Sequence, residues 1–185
     1  IIKGAPASIQ VGDMGVGFRR FPHGEPEANP PHALMVKHNA RFIRGNHDNP
    51  AACLRHSQWL QDGSWDRITR TMFIGGADSI DKAYRIKDYS WWADEELSTQ
   101  DLDACIVLYE YFRPRIMVTH DAPQAVAAEV IRPLLMSGAQ FETTRTRQAL
   151  QQMWTIHQPE LWVFWHYHVS FDHVLQGTRF ICLAE

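Results

Sequence analysis

The sequence predicts an α/β layered domain built on a mixed sheet, and three observations carry that reading. Short apolar runs at 40–43, 116–119 and 161–164 alternate with stretches whose apolar residues recur at helical spacing. That is the order in which parallel strands and their covering helices are laid down. The chain then closes on two strand-like runs around Gln176-Gly177, a hairpin that adds antiparallel strands to the sheet. With 185 residues, 45% hydrophobic and 21% charged, the chain is long enough for one domain with a substantial core.

The elements follow in order. Residues 7–11 read as a first strand, broken at Gly12-Asp13 and followed by a loop with Gly15 and Gly17. Residues 18–32 are rich in Pro, Gly and charge and read as a surface loop long enough to rim a site. After the weakly apolar 33–36, a second strand runs to Arg44. Asn49 is a helix N-cap with Pro50 at the first helical position. Cys53, Leu54, Ser57 and Leu60 share one face of the helix expected there, which Asp62-Gly63 ends. Residues 68–74 carry β-branched and aromatic side chains and form a strand that stops at Gly75-Gly76. Residues 77–92, with Asp78, Asp81, Arg85 and the Trp91-Trp92 pair, are a loop or hairpin.

Ser98 and Asp101 form a capping box. The helix behind it places Leu102, Cys105, Ile106, Tyr109 and Phe112 on one stripe and stops at Arg113-Pro114. The strand at 116–119 ends in His120-Asp121. Pro123 opens a helix with Val126, Ala127, Val130, Ile131 and Leu134 on its core side, and 138–143 is a loop. A helix over 144–157 carries Leu150, Met153, Trp154 and His157 on one stripe. The strand at 161–164 ends in Trp165-His166-Tyr167-His168, and 169–175 and 179–183 make the terminal hairpin.

Composition excludes several classes. A net charge of -3 leaves no broad basic footprint for nucleic acid. No apolar run approaches the length of a membrane span, and no signal-peptide pattern is present. Three widely separated cysteines, Cys53, Cys105 and Cys182, point away from a disulfide framework and toward a reducing, cytoplasmic setting. Nothing in the sequence sets an oligomeric state.

The chemistry-bearing residues sit at strand ends, where α/β domains place their sites. Gly12-Asp13, Gly45-Asn46-His47-Asp48, His120-Asp121 and His166-Tyr167-His168 each follow an apolar run. Carboxylate, imidazole and amide oxygen together suit Zn, Mn or Fe rather than an all-oxygen Ca or Mg cage. The His-x-His spacing puts both rings on one side if that strand stays extended. Arg145 and Arg147, near a helix start, are candidates for a phosphate clamp, against the alternative of solvated helix charge.

In their order and spacing, these motifs resemble the calcineurin-like metallophosphoesterase family across essentially the whole chain. The resemblance implies an αββα sandwich of two mixed β-sheets flanked by helices, with two divalent transition-metal ions (Mn, Fe or Zn) at the sheet ends. It implies Asp13 as a carboxylate bridging both metals, Asn46, His120 and His166 as ligands of one, and His168 as a ligand of the other. It further implies His47 as the catalytic histidine, oriented by Asp48. The substrate class it implies is a phosphomonoester or phosphodiester, carried by a small molecule, nucleotide or phosphoprotein. Two departures stand out. The family's first Asp-x-His pair does not occur before Asp13. The expectation is therefore a single domain over 1–185 without that N-terminal strand, holding one of its two metals more firmly. The family's usual Gly before His-x-His is here Trp165, which would cost about 1–3 kcal/mol if that position needs a positive φ. These departures motivate a second expectation, a catalytically impaired phosphoesterase-fold binding or scaffold module. A structural zinc site is a third.

Overall fold

In the computed structural model, which describes residues 6–19, 30–134 and 143–184, eight strands form two sheets. Strands β1 (Ser8–Val11) and β2 (Ala40–Ile43) pair in parallel as the smaller sheet. The larger sheet contains β3 (Ser64–Asp66), β4 (Thr71–Ile74), β5 (Ile116–Thr119), β6 (Leu161–Phe164), β7 (Phe171–Leu175) and β8 (Thr178–Cys182). Its order is β3-β4-β5-β6-β8-β7. The four inner strands run parallel, and β3 and β7 are antiparallel edges. The larger sheet is mixed as expected. The smaller one is parallel, not mixed.

Period-two alternation sorts the side chains into layers. Met72, Ile74, Met117, Trp162, Phe164 and Phe180 share one core with helices α3 (Thr99–Phe112) and α4 (Arg145–Ile156), which add Leu102, Tyr109, Leu150 and Met153. Phe73 and Val118, from the opposite face of the same strands, pack with Val11 and Ile43 of the smaller sheet. Phe42 and Ala40 then meet Met35 of α1 (His32–Lys37) and Ala52 and Cys53 of α2 (Pro50–Cys53). The layers therefore run helix, sheet, sheet, helix. Each fully buried Phe or Ile among them contributes about 1.5–3 kcal/mol.

Several expected elements form as read. Ser98 caps α3 by accepting from Asp101 N–H at 3.1 Å, and Arg113 ends it in the left-handed region at φ 44°. Asn49 caps α2 with Pro50 behind it. The terminal hairpin turns through Gln176 (φ 48°) and Gly177 (φ 85°), two positive values in succession as a type I′ turn requires. A Cβ on Gly177 would meet no atom within 4 Å. Gly177→Ala therefore isolates the backbone term, and equilibrium denaturation should show a loss of about 1–2 kcal/mol.

Other elements differ for physical reasons. The helix expected from Pro50 to Asp62-Gly63 is a single turn, Pro50–Cys53, and Leu54 is exposed. The chain instead lies along β2, where Phe42 N–H donates to Gln58 O and Leu60 N–H donates to Phe42 O. Satisfying that backbone outweighs helical periodicity. The strand expected at 68–74 is the second half of a hairpin with β3. Asp66 Oδ1 accepts from Ile68 N–H at 2.8 Å and turns the chain, leaving Ile68 exposed. After Pro123 the winding is π over Val126–Ile131, then 3-10 over Arg132–Leu134. The wide turn explains how Val126 and Ile131, five apart, are both buried, while Leu134 is exposed. Residues 33–36 lie within α1. Residues 20–29 of the first expected loop, and 138–142 of the later one, lie outside the described residues.

Candidate metal centre

The carboxyl ends of β1, β2, β5 and β6 meet at one place. Two glycines allow the approach. Gly12, at φ 91°, lies so close to His120 that a Cβ would sit 2.0 Å from its Nδ1. A Cβ on Gly45 would sit 2.1 Å from Asp13 Oδ1. Asp13 itself holds φ 52°, an unusual angle for a non-glycine residue that often marks a functional position.

The Asn46 carboxamide oxygen is the focus. His120 Nε2 lies 3.0 Å from it and His166 Nδ1 3.1 Å. Asp13 Oδ1 is 3.4 Å from His120 Nε2. Atoms bound about 2.1 Å from a shared cation, roughly 90–110° apart, lie about 3.0–3.4 Å from one another. The observed spacings match that geometry. The protonation pattern matches as well. His120 Nδ1 donates to the Val11 carbonyl at 2.8 Å, so in the neutral ring Nε2 presents a lone pair toward Asn46 and Asp13. His120 is wholly buried. Burial pushes His166 down to about 4, so at neutral pH it is uncharged. Burial pushes the Asp13 carboxyl up, but the His120 and His47 rings and the His47 N–H, which donates to Oδ1 at 2.9 Å, hold it below the usual range. In that state a carboxylate, an amide oxygen and an imidazole lone pair face one point, the donor types a divalent cation takes. Asp13, Asn46, His120 and His166 fit one metal ion. Among the described residues no three His, Cys, Asp or Glu side chains form a ready cage by themselves. Here the carboxylate and the two rings meet through an amide.

His47 stands beside this cluster. Its Nδ1 lies 4.0 Å from Asp13 Oδ2, and Arg85 donates from Nη2 to its Nε2. Phe18 stacks on the ring at 5.3 Å and 17°. Burial lowers the His47 pKa, and the Arg85 charge lowers it further against the pull of Asp13. Asp48 does not orient His47. Its carboxylate is fully buried and accepts from the N–H groups of Gly45 (2.7 Å), Val16 (2.9 Å) and Met14 (3.2 Å). It ties the loop after β1 to the loop after β2, thereby placing Asp13 against Asn46. Burial raises its pKa to about 6 against those bonds, so it is ionised at neutral pH.

His168 is exposed, and its ring packs edge-on against Trp165 at 4.6 Å. The strand does not stay extended past Phe164. His166 (φ 66°) and His168 (φ 54°) are both left-handed, so the two rings do not share one strand face. The strain expected at Trp165 falls on its neighbours instead, since Trp165 has no positive φ. Arg147 is 1% exposed and donates from Nε to both Asp121 oxygens, at 3.1 and 3.0 Å. A side chain buried behind His120 cannot clamp substrate. Arg145 is exposed and faces Glu96 at 3.6 Å.

Arg85, Ser79 and Glu95 were not expected at the site. Arg85 is held by Asp81, which accepts from its Nε and Nη2 at 2.6 Å each. Asn46 Nδ2 donates to Ser79 Oγ at 3.0 Å. The sequence marked only the place of Ser79: Asp78-Ser79 follows Gly75-Gly76, at the carboxyl end of β4, making β4 a fifth strand end; nothing local pointed to Arg85 or Glu95. Compared with known proteins, the chain matches no family model, and no curated protein matches it.

Proposed function

We propose that the chain is a metal-dependent phosphoesterase of the calcineurin-like metallophosphoesterase type, acting on a phosphomonoester or phosphodiester. The observation that carries this reading is the convergence of Asp13, Asn46, His120 and His166 at cation-binding spacing. The back-to-back sheets with helices on their outer faces support it. Asp13, Asn46, His120 and His166 would hold one divalent ion, Mn, Fe or Zn. Such an ion supplies Lewis acidity and a water acidic enough to attack phosphorus at neutral pH.

The remaining chemistry belongs to the chain. Arg85 offers a guanidinium fixed by Asp81 beside His47, where a phosphoryl oxygen would replace the ring nitrogen as acceptor. Release of His47 Nε2 then frees a basic ring nitrogen, which can take up the proton lost by the attacking water and pass it to the leaving oxygen. Phe18 keeps the ring flat against the site wall.

Hydrolysis of p-nitrophenyl phosphate and of bis(p-nitrophenyl) phosphate tests the proposal. Saturable turnover should appear with Mn²⁺ and vanish with a chelator. Arg85→Ala should lower kcat/KM about a hundredfold, as loss of a charge-stabilising donor does. A protein that binds Mn²⁺ but turns over neither ester would overturn the hydrolase reading. It would favour the alternative, an impaired binding or scaffold module, to which the exposed position of His168 points.

A further inference from the structure

The orientation of the Asn46 carboxamide is not left to the side chain itself. Asn46, Ser79 and Glu95 are all buried, at 3%, 0% and 3% exposure, so each polar atom must find a protein partner. Ser79 donates twice to one carboxylate, from its N–H to Glu95 Oε1 at 2.7 Å and from Oγ to Oε2 at 2.6 Å. Its hydroxyl hydrogen is thereby committed, and Oγ is left as an acceptor. Only the NH2 group of Asn46 satisfies it, from Nδ2 at 3.0 Å. The oxygen of that amide is then fixed toward His120 Nε2 and His166 Nδ1. Were the amide turned over, its NH2 would occupy the place of the cation's oxygen ligand, and two oxygens would oppose each other at Ser79.

We propose that Ser79 and Glu95 are positioning residues that lock the Asn46 carboxamide with its oxygen toward the cation site. The inference rests on reading Asp13, Asn46, His120 and His166 as a metal site, and it names what makes that site selective for a cation before one arrives. Ser79 follows β4 and Glu95 precedes α3, so two elements that contribute no ligand set the direction of one. Outer groups that orient a ligand typically carry a tenfold to hundredfold share of metal affinity.

The test is calorimetric titration of the full chain with Mn²⁺, comparing wild type with Ser79→Ala, Glu95→Gln and the double variant. Thermal melting without metal is measured alongside. Ser79→Ala removes the acceptor of the amide NH2. Glu95→Gln keeps the shape but replaces one acceptor oxygen by a donor. Each should weaken Mn²⁺ binding tenfold to a hundredfold. The double variant should be no weaker than Ser79→Ala alone, because both changes break one chain of bonds. Unchanged affinity in both single variants, or independent losses that simply add, would overturn the inference while leaving the metal site standing. Failure of both variants to fold without metal would assign the pair a structural role and overturn it also. A wild-type protein that binds neither Mn²⁺ nor Zn²⁺ would instead sink the metal reading itself, and this inference with it.

Discussion

Asp13→Asn should lower metal-dependent turnover at least ~10³-fold while leaving the stability of the metal-free protein within about 1 kcal/mol of wild type. The two halves of this expectation have separate causes. Asparagine keeps an oxygen to accept the His47 N–H, now made at 2.9 Å. It is also among the residues that tolerate a left-handed backbone, as φ 52° requires. For the charge, two effects oppose each other in the wild type. Burial disfavours the carboxylate, and the His120 and His47 rings favour it. Removing the charge removes both. What the variant cannot supply is the anionic oxygen that faces His120 Nε2 at 3.4 Å, and a divalent ion loses its one carboxylate. Calorimetric titration with Mn²⁺, ester hydrolysis and urea denaturation read the three quantities on the same sample. A large loss of stability with metal affinity preserved would make Asp13 a structural turn residue and refute the assignment.

The sequence made the strand ends legible because their signals are local. A short, mostly apolar run with Gly-Asn-His, His-Asp or His-x-His close behind it marks a buried strand and its polar exit, and β2, β5 and β6 stand where those runs stand. Capping residues Asn49 and Ser98 were readable for the same reason, whereas the cap at Thr144 emerged only in the structure. What escaped depends on contacts far apart in the chain. Helical periodicity at 53–60 lost to hydrogen bonds with β2. Asp48 looked like a partner for the adjacent His47, yet it bonds N–H groups 32 and 34 residues away. His166 and His168 share a face only on an extended strand, and the chain leaves that conformation at once. Ser79 and Glu95 act through the amide of Asn46, and no spacing rule links a serine to an asparagine 33 residues before it. Residue types were therefore a good guide to which side chains gather at the strand ends, His168 excepted, and a poor one to what holds them in place.

Arg147 shows that difference most sharply, and Arg147→Met should cost about 3–5 kcal/mol of stability. A surface phosphate clamp would cost little. Arg147 lies beneath the site, with its guanidinium bonded to Asp121 and stacked over Tyr167 at 5.7 Å. Asp121 also accepts from Tyr167 Oη and from Ala122 N–H. Asp121 follows His120, and Tyr167 follows His166, so one buried cation ties together the two loops that present the imidazoles. Burial pushes the Asp121 carboxyl up, but Arg147 and the hydrogen bonds hold it below its usual value. A depressed carboxylate contributes stability above its unfolded pKa of about 3.8 and loses it as pH falls through the lower folded value. Without Arg147 burial dominates and the folded pKa rises above 3.8, so the variant's deficit is full near neutral pH. It should shrink as both forms of Asp121 protonate on acidification. Urea denaturation of wild type and variant from pH 7 to pH 3 reads that convergence. Arg147→Met/Asp121→Asn should recover part of the loss, because no unpaired charge is left inside. Turnover by the folded fraction separates the two roles. A variant of wild-type stability with a raised KM would restore Arg147 as a substrate clamp. An unstable variant whose folded fraction keeps its KM fixes it as the brace behind the candidate metal centre.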